Sequence, residues 1–236
     1  MGEERPPAIW FAEQRPRKPR LSKERIARAA VAVLDAEGAS GLSMRRLAAR
    51  LDVSAMSLYE YVSSKEDVLD LAVDEAFAGV ELDGIDDVPW REALAQQLHR
   101  GREVMKRHPW LPALMSTRPL LGPNSLALAE RFYAVLASVG LAGARLTAVI
   151  GALTYYVQGY VAMENFWTGV HRDPAREAEL RAQAQQYLGQ RREDYPVLAE
   201  QADLVGTDDF DESFELGLTT VLDGIEAQLR GSGDSS

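Results

Sequence analysis

The chain has 236 residues, 46% of them hydrophobic, with no cysteine and a formal net charge of −10 at pH 7. Its length allows one large domain or a small domain joined to a larger one, and its apolar content excludes a disordered chain. The lack of cysteine excludes disulfides and thiolate metal sites and is compatible with a reducing cytoplasm. Arg5, Pro6, Pro7 and the Arg15–Arg20 cluster break any signal-peptide pattern, and no uninterrupted apolar stretch approaches a membrane span. A cytoplasmic protein with no membrane partner is expected.

Charge is unevenly spread. Residues 1–50 hold 11 Lys and Arg against 6 Asp and Glu, a net of +5, while residues 51–236 carry a net of −15. A basic N-terminal part on an acidic body suits a DNA-binding head. Residues 1–20, rich in Pro and Arg, lack periodicity and are expected to be a disordered basic arm. The segment Pro16 to Arg20 could lie along phosphates or enter a minor groove, and a solubilising tail explains it equally well.

The first helix begins at the N-cap Ser22, with Glu24 in its first turn. Ile26, Ala29, Ala30, Val33 and Leu34 repeat at the spacing of one buried helical face, and Gly38 is the stop. Ser43 caps a second helix burying Leu47, Ala48 and Leu51; Asp52 and Val53 form a turn; Ser54 caps a third helix that runs to about Tyr61 and buries Leu58. Ser63 and Ser64 stand at capping-box spacing from Glu66 and Asp67, so a fourth helix starts near Lys65 and buries Leu69, Ala72, Val73, Ala76 and Phe77. Residues 79–89 are Gly- and Asp-rich and make a natural boundary.

Beyond it the pattern stays helical: Trp90 to His108, Trp110 to Ser116, Pro123 to Val139, Leu141 to Trp167, Arg172 to Arg192 and Asp209 to Leu229. The Leu141–Trp167 segment is apolar nearly all round and must be buried on several sides. The Arg172–Arg192 segment is polar with weak amphipathicity. About nine or ten helices and no sheet are expected, an all-α fold. Four parts follow: a basic arm (1–20), a helix-turn-helix domain (21–66), a larger helical domain (67–230), and a disordered tail (231–236).

The segment Ser43 to Lys65 meets the steric needs of a helix-turn-helix. Ala48 is small where the helices cross, Asp52 can take a left-handed backbone at some cost, and Leu58 anchors the second helix. With Gly41-Leu42-Ser43, Arg46-Leu47-Ala48, Leu51-Asp52-Val53-Ser54, Leu58-Tyr59, Tyr61-Val62 and Lys65-Glu66 in this order, residues 22–77 resemble the DNA-binding domain of the TetR family of bacterial regulators. Two departures stand out: Asp52 where Gly is usual, and the acidic Glu60 inside the recognition helix.

The resemblance implies that Ala55, Met56, Ser57, Tyr59, Glu60 and Tyr61 face the major groove and its flanking phosphates. Ser57 and Tyr59 offer hydroxyls to phosphate or base, Ala55 and Met56 can meet thymine methyls, and Glu60 can accept from a cytosine amine. Arg45 matches a position that reaches a guanine edge, and Lys65 a phosphate contact. Tyr61 as a partly core residue, Glu60 as the partner of a nearby arginine and Met56 as a merely exposed residue are alternatives. The implied partner is a double-stranded operator bound by a homodimer, since one recognition helix covers only a half-site.

The body resembles the ligand-binding domain found in the tetracycline repressors of that family, on Trp90, the Thr117-Arg118-Pro119 triplet, Gly140 and Gly159. That resemblance places Gln97, Leu114, Thr117, Arg118, Phe132, Thr147, Ile150 and Tyr155 on a pocket for a small organic effector. Leu114 stands where those repressors carry a magnesium-binding histidine, and His99, His108 and His171 are scattered. A magnesium–tetracycline chelate is therefore not the expected ligand; no metal site and no cofactor are expected. Gln158 and Asn165 are further ligand candidates, because amides on an apolar helix demand partners when buried; for Asn165 a solvated helix end is the alternative. The Leu141–Trp167 and Asp209–Leu229 helices suit either internal core or a four-helix dimer bundle with their symmetry mates, and their wide apolar faces favour the latter.

No catalytic residues are expected: the sequence has no Gly-rich phosphate loop, G-x-S-x-G or H-E-x-x-H. The expected function is a ligand-responsive DNA-binding regulator, a repressor released from a palindromic operator. Two rivals are a regulator of the same fold that activates or needs its ligand as co-repressor, and a helical small-molecule binder without DNA binding.

Overall fold

The computed structural model describes residues 21–80, 88–168, 173–201 and 209–233. The basic arm, part of the 79–89 boundary, His171 and residues 234–236 lie outside the described residues. Among the described residues there are eleven helices and no strand: α1 (Lys23–Gly41), α2 (Met44–Leu51), α3 (Ala55–Tyr59), α4 (Lys65–Ala76), α5 (Trp90–Arg107), α6 (Leu111–Met115), α7 (Pro123–Ser138), α8 (Gly143–Thr168), α9 (Pro174–Gln190), α10 (Pro196–Glu200) and α11 (Phe210–Gly233).

Local capping sets the head. Ser22, Ser43, Ser54 and Ser64 each accept a backbone N–H three residues on, from Arg25, Arg46, Ser57 and Asp67. Gly38 breaks α1 at φ 68°, a left-handed backbone that disfavours a side chain, and a short turn then carries the chain to Gly41. Ile26, Ala30, Val33 and Leu34 of α1 are buried against α4, where Val68, Leu69, Ala72, Val73 and Ala76 form the facing stripe. Ala27 is buried and Ala29 only half-buried, so the buried face of α1 is offset from the expected one.

In the body, α8 packs on α5, α6, α7 and α11. Its inner face buries Val149, Leu153, Val157 and Val161, while Tyr155 (74%), Met163 and Phe166 stand exposed on its outer face. The expectation that α8 is buried on several sides therefore fails within one chain. Although no uninterrupted apolar stretch was expected to approach a membrane span, α8 has 26 residues and contains an 18-residue window of mean hydropathy 1.2, long and apolar enough to cross one by length and composition. It is apolar all round because one face is core and the other is open.

A buried ion cluster ties α5, α8 and α11. Arg102 (4% exposed) donates from Nε and an Nη to both oxygens of Glu164 (also 4%), at 3.0 and 2.9 Å, and pairs with Asp211 at 2.6 Å. Lys106 reaches Glu164 at 3.0 Å. The Arg102 guanidinium lies 4.6 Å from the Phe214 ring centroid, and that ring stacks on Tyr156. Asp211 is held below the usual carboxylate range, chiefly by its hydrogen bond from Arg102. The Tyr156 hydroxyl donates to the Phe214 carbonyl at 2.7 Å, and burial pushes its pKa up to about 12. The α9–α10 pair packs mainly on itself; α10 was not expected, being one turn after Pro196 without periodicity. The tail expected from 231 is shorter, since α11 continues to Gly233.

Candidate nucleic-acid interface and effector cavity

Asp52 sets the angle between α2 and α3. It sits at φ 55°, ψ 47°, the only positive-φ residue other than glycine among those described. Its N–H donates to the Ala49 carbonyl at 3.2 Å and the Val53 N–H to Ala48 at 3.0 Å, closing α2 with a left-handed cap. Of the outward side chains of α2 and α3, Arg46 is tied to Glu37 and the Gly41 carbonyl, while Arg45 and Glu60 stand free of ion pairs among the described residues. Met56 is 74% exposed, and Arg45, Tyr59 and Glu60 are exposed. Ala55 and Ser57 are half-buried, and the Ser57 hydroxyl shares a 2.9 Å hydrogen bond with Ser54. Tyr61 is half-buried and packs against the core, which favours its reading as partly core. Glu60 has no arginine partner among the described residues. Lys65 donates to the Ala39 carbonyl at 3.3 Å, which holds its ammonium beside the start of α4.

Three polar ties fasten the head to the body. Asp35 of α1 accepts from His108 Nδ1 at 2.7 Å and Trp110 Nε1 at 2.6 Å. Arg118, in the α6–α7 connection, pairs with Glu66 and with Asp70 at 2.7 Å, and also donates to the Glu66 carbonyl. Asp74 accepts from the Ser125 N–H at 2.9 Å and from the Asn124 side chain at 3.0 Å, so a residue of α4 caps the N-terminus of α7. Gly122 permits that approach, since a Cβ there would lie 2.1 Å from the Asp74 carboxyl carbon.

An apolar cavity of about 120 Å³ lies beside these ties, between α4, α5, α7 and α8. Phe77, Leu98, Met105, Leu128 and Val157 supply its walls. Three polar side chains break them, Gln97, Ser125 and the half-buried Thr154, and the first two are nearly fully buried. Gln97 is 1% exposed and neither its amide oxygen nor its nitrogen has a partner among the described residues. Ser125 is 6% exposed and its Oγ is likewise unpartnered. A buried, unpaired amide costs about 1–3 kcal/mol, so each is a place where a guest molecule restores a lost hydrogen bond. No group of three or more His, Asp or Glu among the described residues could hold a metal ion.

Residues 26–72 match the family model described as bacterial regulatory proteins, tetR family, and residues 85–229 match the tetracyclin repressor-like C-terminal domain. The chain belongs to the TetR family. It is 41% identical over 224 residues to an HTH-type transcriptional regulator of Saccharopolyspora erythraea, covering 94% of this chain and 92% of the relative. It is 36% identical to the HTH-type transcriptional repressor DrrR1 of Streptomyces coeruleorubidus, covering 94% and 86%. Among solved structures, ActR of Streptomyces coelicolor in complex with actinorhodin superposes with TM-score 0.78 at 29% identity, covering 89% of this chain and 99% of ActR. The chain is thus a DNA-binding transcriptional regulator of the TetR family, whose members bind operator DNA and dimerise.

Within this TetR-family body, Gln97, Phe132 and Ile150 line the cavity, and seven other positions expected there do not. Leu114 is half-buried in the core and Arg118 is spent on α4. Thr117 and Thr147 are exposed, each hydroxyl donating to a carbonyl of its own turn. Tyr155 faces out from α8. Gln158 donates to the Pro112 carbonyl at 2.8 Å and to Ser116 at 2.7 Å, and Asn165 to the Met105 carbonyl at 3.1 Å. These two amides do find partners, but inside the protein, where they pin α8 to α6 and α5. Sequence reading missed Ser125: a serine two residues after Pro123 looks like any first-turn residue. Its one local signal was the Gly122-Pro123-Asn124-Ser125 helix start, which says nothing of a cavity.

Proposed function

We propose that this regulator is a homodimeric repressor that holds a palindromic operator through two copies of α3 and leaves it when a small organic molecule enters the cavity. Residues 21–66 read DNA and residues 67–230 hold effector and partner. Arg45, Ala55, Met56, Ser57, Tyr59, Glu60 and Tyr61 meet the groove, and Lys65 a phosphate. The open faces of α8 and α11, with Tyr155, Met163, Phe166 and Leu216 exposed, support a four-helix interface with a second copy. Two heads then address half-sites about 34–36 Å apart.

The observation that carries the effector part is the unpartnered Gln97 and Ser125 in a largely apolar cavity that touches the α4 connection to the head. A ligand bonded to Ser125 acts on the first turn of α7, which Asp74 of α4 caps. If it binds better when that cap is shifted, the heads are respaced and DNA is released. The complex of ActR with actinorhodin supports a small organic effector, and the repressor DrrR1 supports repression over activation.

The test is selection of bound sequences from a random duplex pool by the purified protein at near-physiological salt. An enriched palindrome, bound with a steep salt dependence, is expected. No enrichment by a folded, dimeric protein would defeat the reading and favour a binder without DNA function.

A further inference from the structure

The cavity has a polar neighbour. A cleft of about 360 Å³ runs between the head and the α6–α7 connection, and it shares Leu120 and Ser125 with the apolar cavity. On the head side its charged lining is Lys23 and three aspartates, Asp67, Asp70 and Asp74, which lie on one face of α4 at helical spacing. Only Asp70 has a cationic partner, Arg118. Asp67 is bonded to the Ser63 N–H at 2.6 Å and to Ser64, and Asp74 to the N–H groups and amide at the start of α7; among the described residues neither has an ion pair. The Ser63 N–H, with the Ser64 hydroxyl, holds Asp67 below the usual carboxylate range. One lysine faces two uncompensated carboxylates, so the cleft is negative. Ser125, with its buried and unpartnered Oγ, lines both the negative cleft and the apolar cavity and so stands between them.

Resting on the effector reading above, we propose that the effector is an amphipathic cation. Its apolar ring system fills the cavity, while a protonated amine passes Ser125 into the aspartate-lined cleft. An ammonium has three donors and no acceptor, which suits Ser125 Oγ together with the carboxylates that line the cleft. The regulatory consequence is direct. Such a molecule touches Tyr61 and α4 of the head and the Pro119–Ser125 segment of the body at once, so its amine wedges the joint that the ties of Arg118 and Asp74 close. A neutral ligand confined to the cavity lacks that lever.

The experiment compares two probes on the full-length protein by calorimetric titration: 2-(2-naphthyl)ethylamine, cationic at pH 7, and its N-acetyl amide, of similar shape but neutral. The amine is expected to bind about tenfold more tightly, the preference shrinking at high salt because the cleft is partly open to solvent. In Asp67→Asn and Ser125→Ala the loss is expected to fall on the amine alone, about three- to tenfold, with amide affinity kept. A merely structural role for these residues would weaken both probes equally and overturn the proposal. Equal binding of both probes to the unaltered protein would overturn the cation while leaving the cavity as effector site. Binding of neither would overturn the cavity reading, and the proposal with it.

Discussion

Replacing Gln97 by leucine should make this regulator more stable and less responsive. The side chain is 1% exposed, and both its amide atoms lack a partner. Each unmet buried polar atom costs about 1–3 kcal/mol, whereas an apolar group of similar volume in the same walls costs nothing of that kind. Leucine is slightly larger and branched, so fitting it between the same walls offsets part of the gain. A net stabilisation of about 2 kcal/mol is therefore expected for Gln97→Leu. For a protein of this size that corresponds to a rise of about 4–8 °C in Tm. Differential scanning calorimetry of the effector-free protein, at fixed concentration because a dimer's Tm depends on it, reads the shift. The same variant should bind effector about tenfold more weakly, the worth of one buried hydrogen bond. An unchanged or lowered Tm would refute the reasoning. It would mean that the amide is already satisfied in the free protein and is not held in reserve for a guest.

Three further outcomes are expected. Lys65→Ala should weaken operator binding for every sequence tested and lower the slope of log affinity against log salt by about 0.9 per half-site, read by fluorescence anisotropy across a salt series. Arg102→Met should destabilise the body by about 1–3 kcal/mol in urea unfolding, because Glu164 loses both guanidinium hydrogen bonds and keeps only Lys106, and adding Glu164→Leu should recover most of it. Tyr156 is raised from 10.0 to about 12 in the folded chain, chiefly by burial, so folding favours its neutral form. That contribution is full below pH 10 and is lost as pH rises through the folded value; Tyr156→Phe should flatten the alkaline decline in urea midpoint between pH 9.5 and 11.5, roughly the window this shift opens.

What could be read from sequence was what neighbours in the chain decide. Serine caps, the Gly38 stop and the spacing of Leu47, Ala48, Leu51 and Leu58 act within a turn or two, so they located every helix of the head and the left-handed turn at Asp52. The same signals located all the long body helices, because burial on one side writes a 3.6-residue period into a helix. Which side chain meets which across the body leaves no such period. Gln97, Gln158 and Asn165 look alike as amides on helices, yet the fold gives Gln158 and Asn165 carbonyls of α6 and α5 and gives Gln97 none. Arg118 looked like a ligand contact until α4 was seen to supply Glu66 and Asp70. Ser125 was invisible until α7 was set beside both a cavity and an acidic cleft. A polar group's role depends on what desolvates and partners it, and those neighbours lie about fifty residues or more away in the chain, beyond the reach of any local rule.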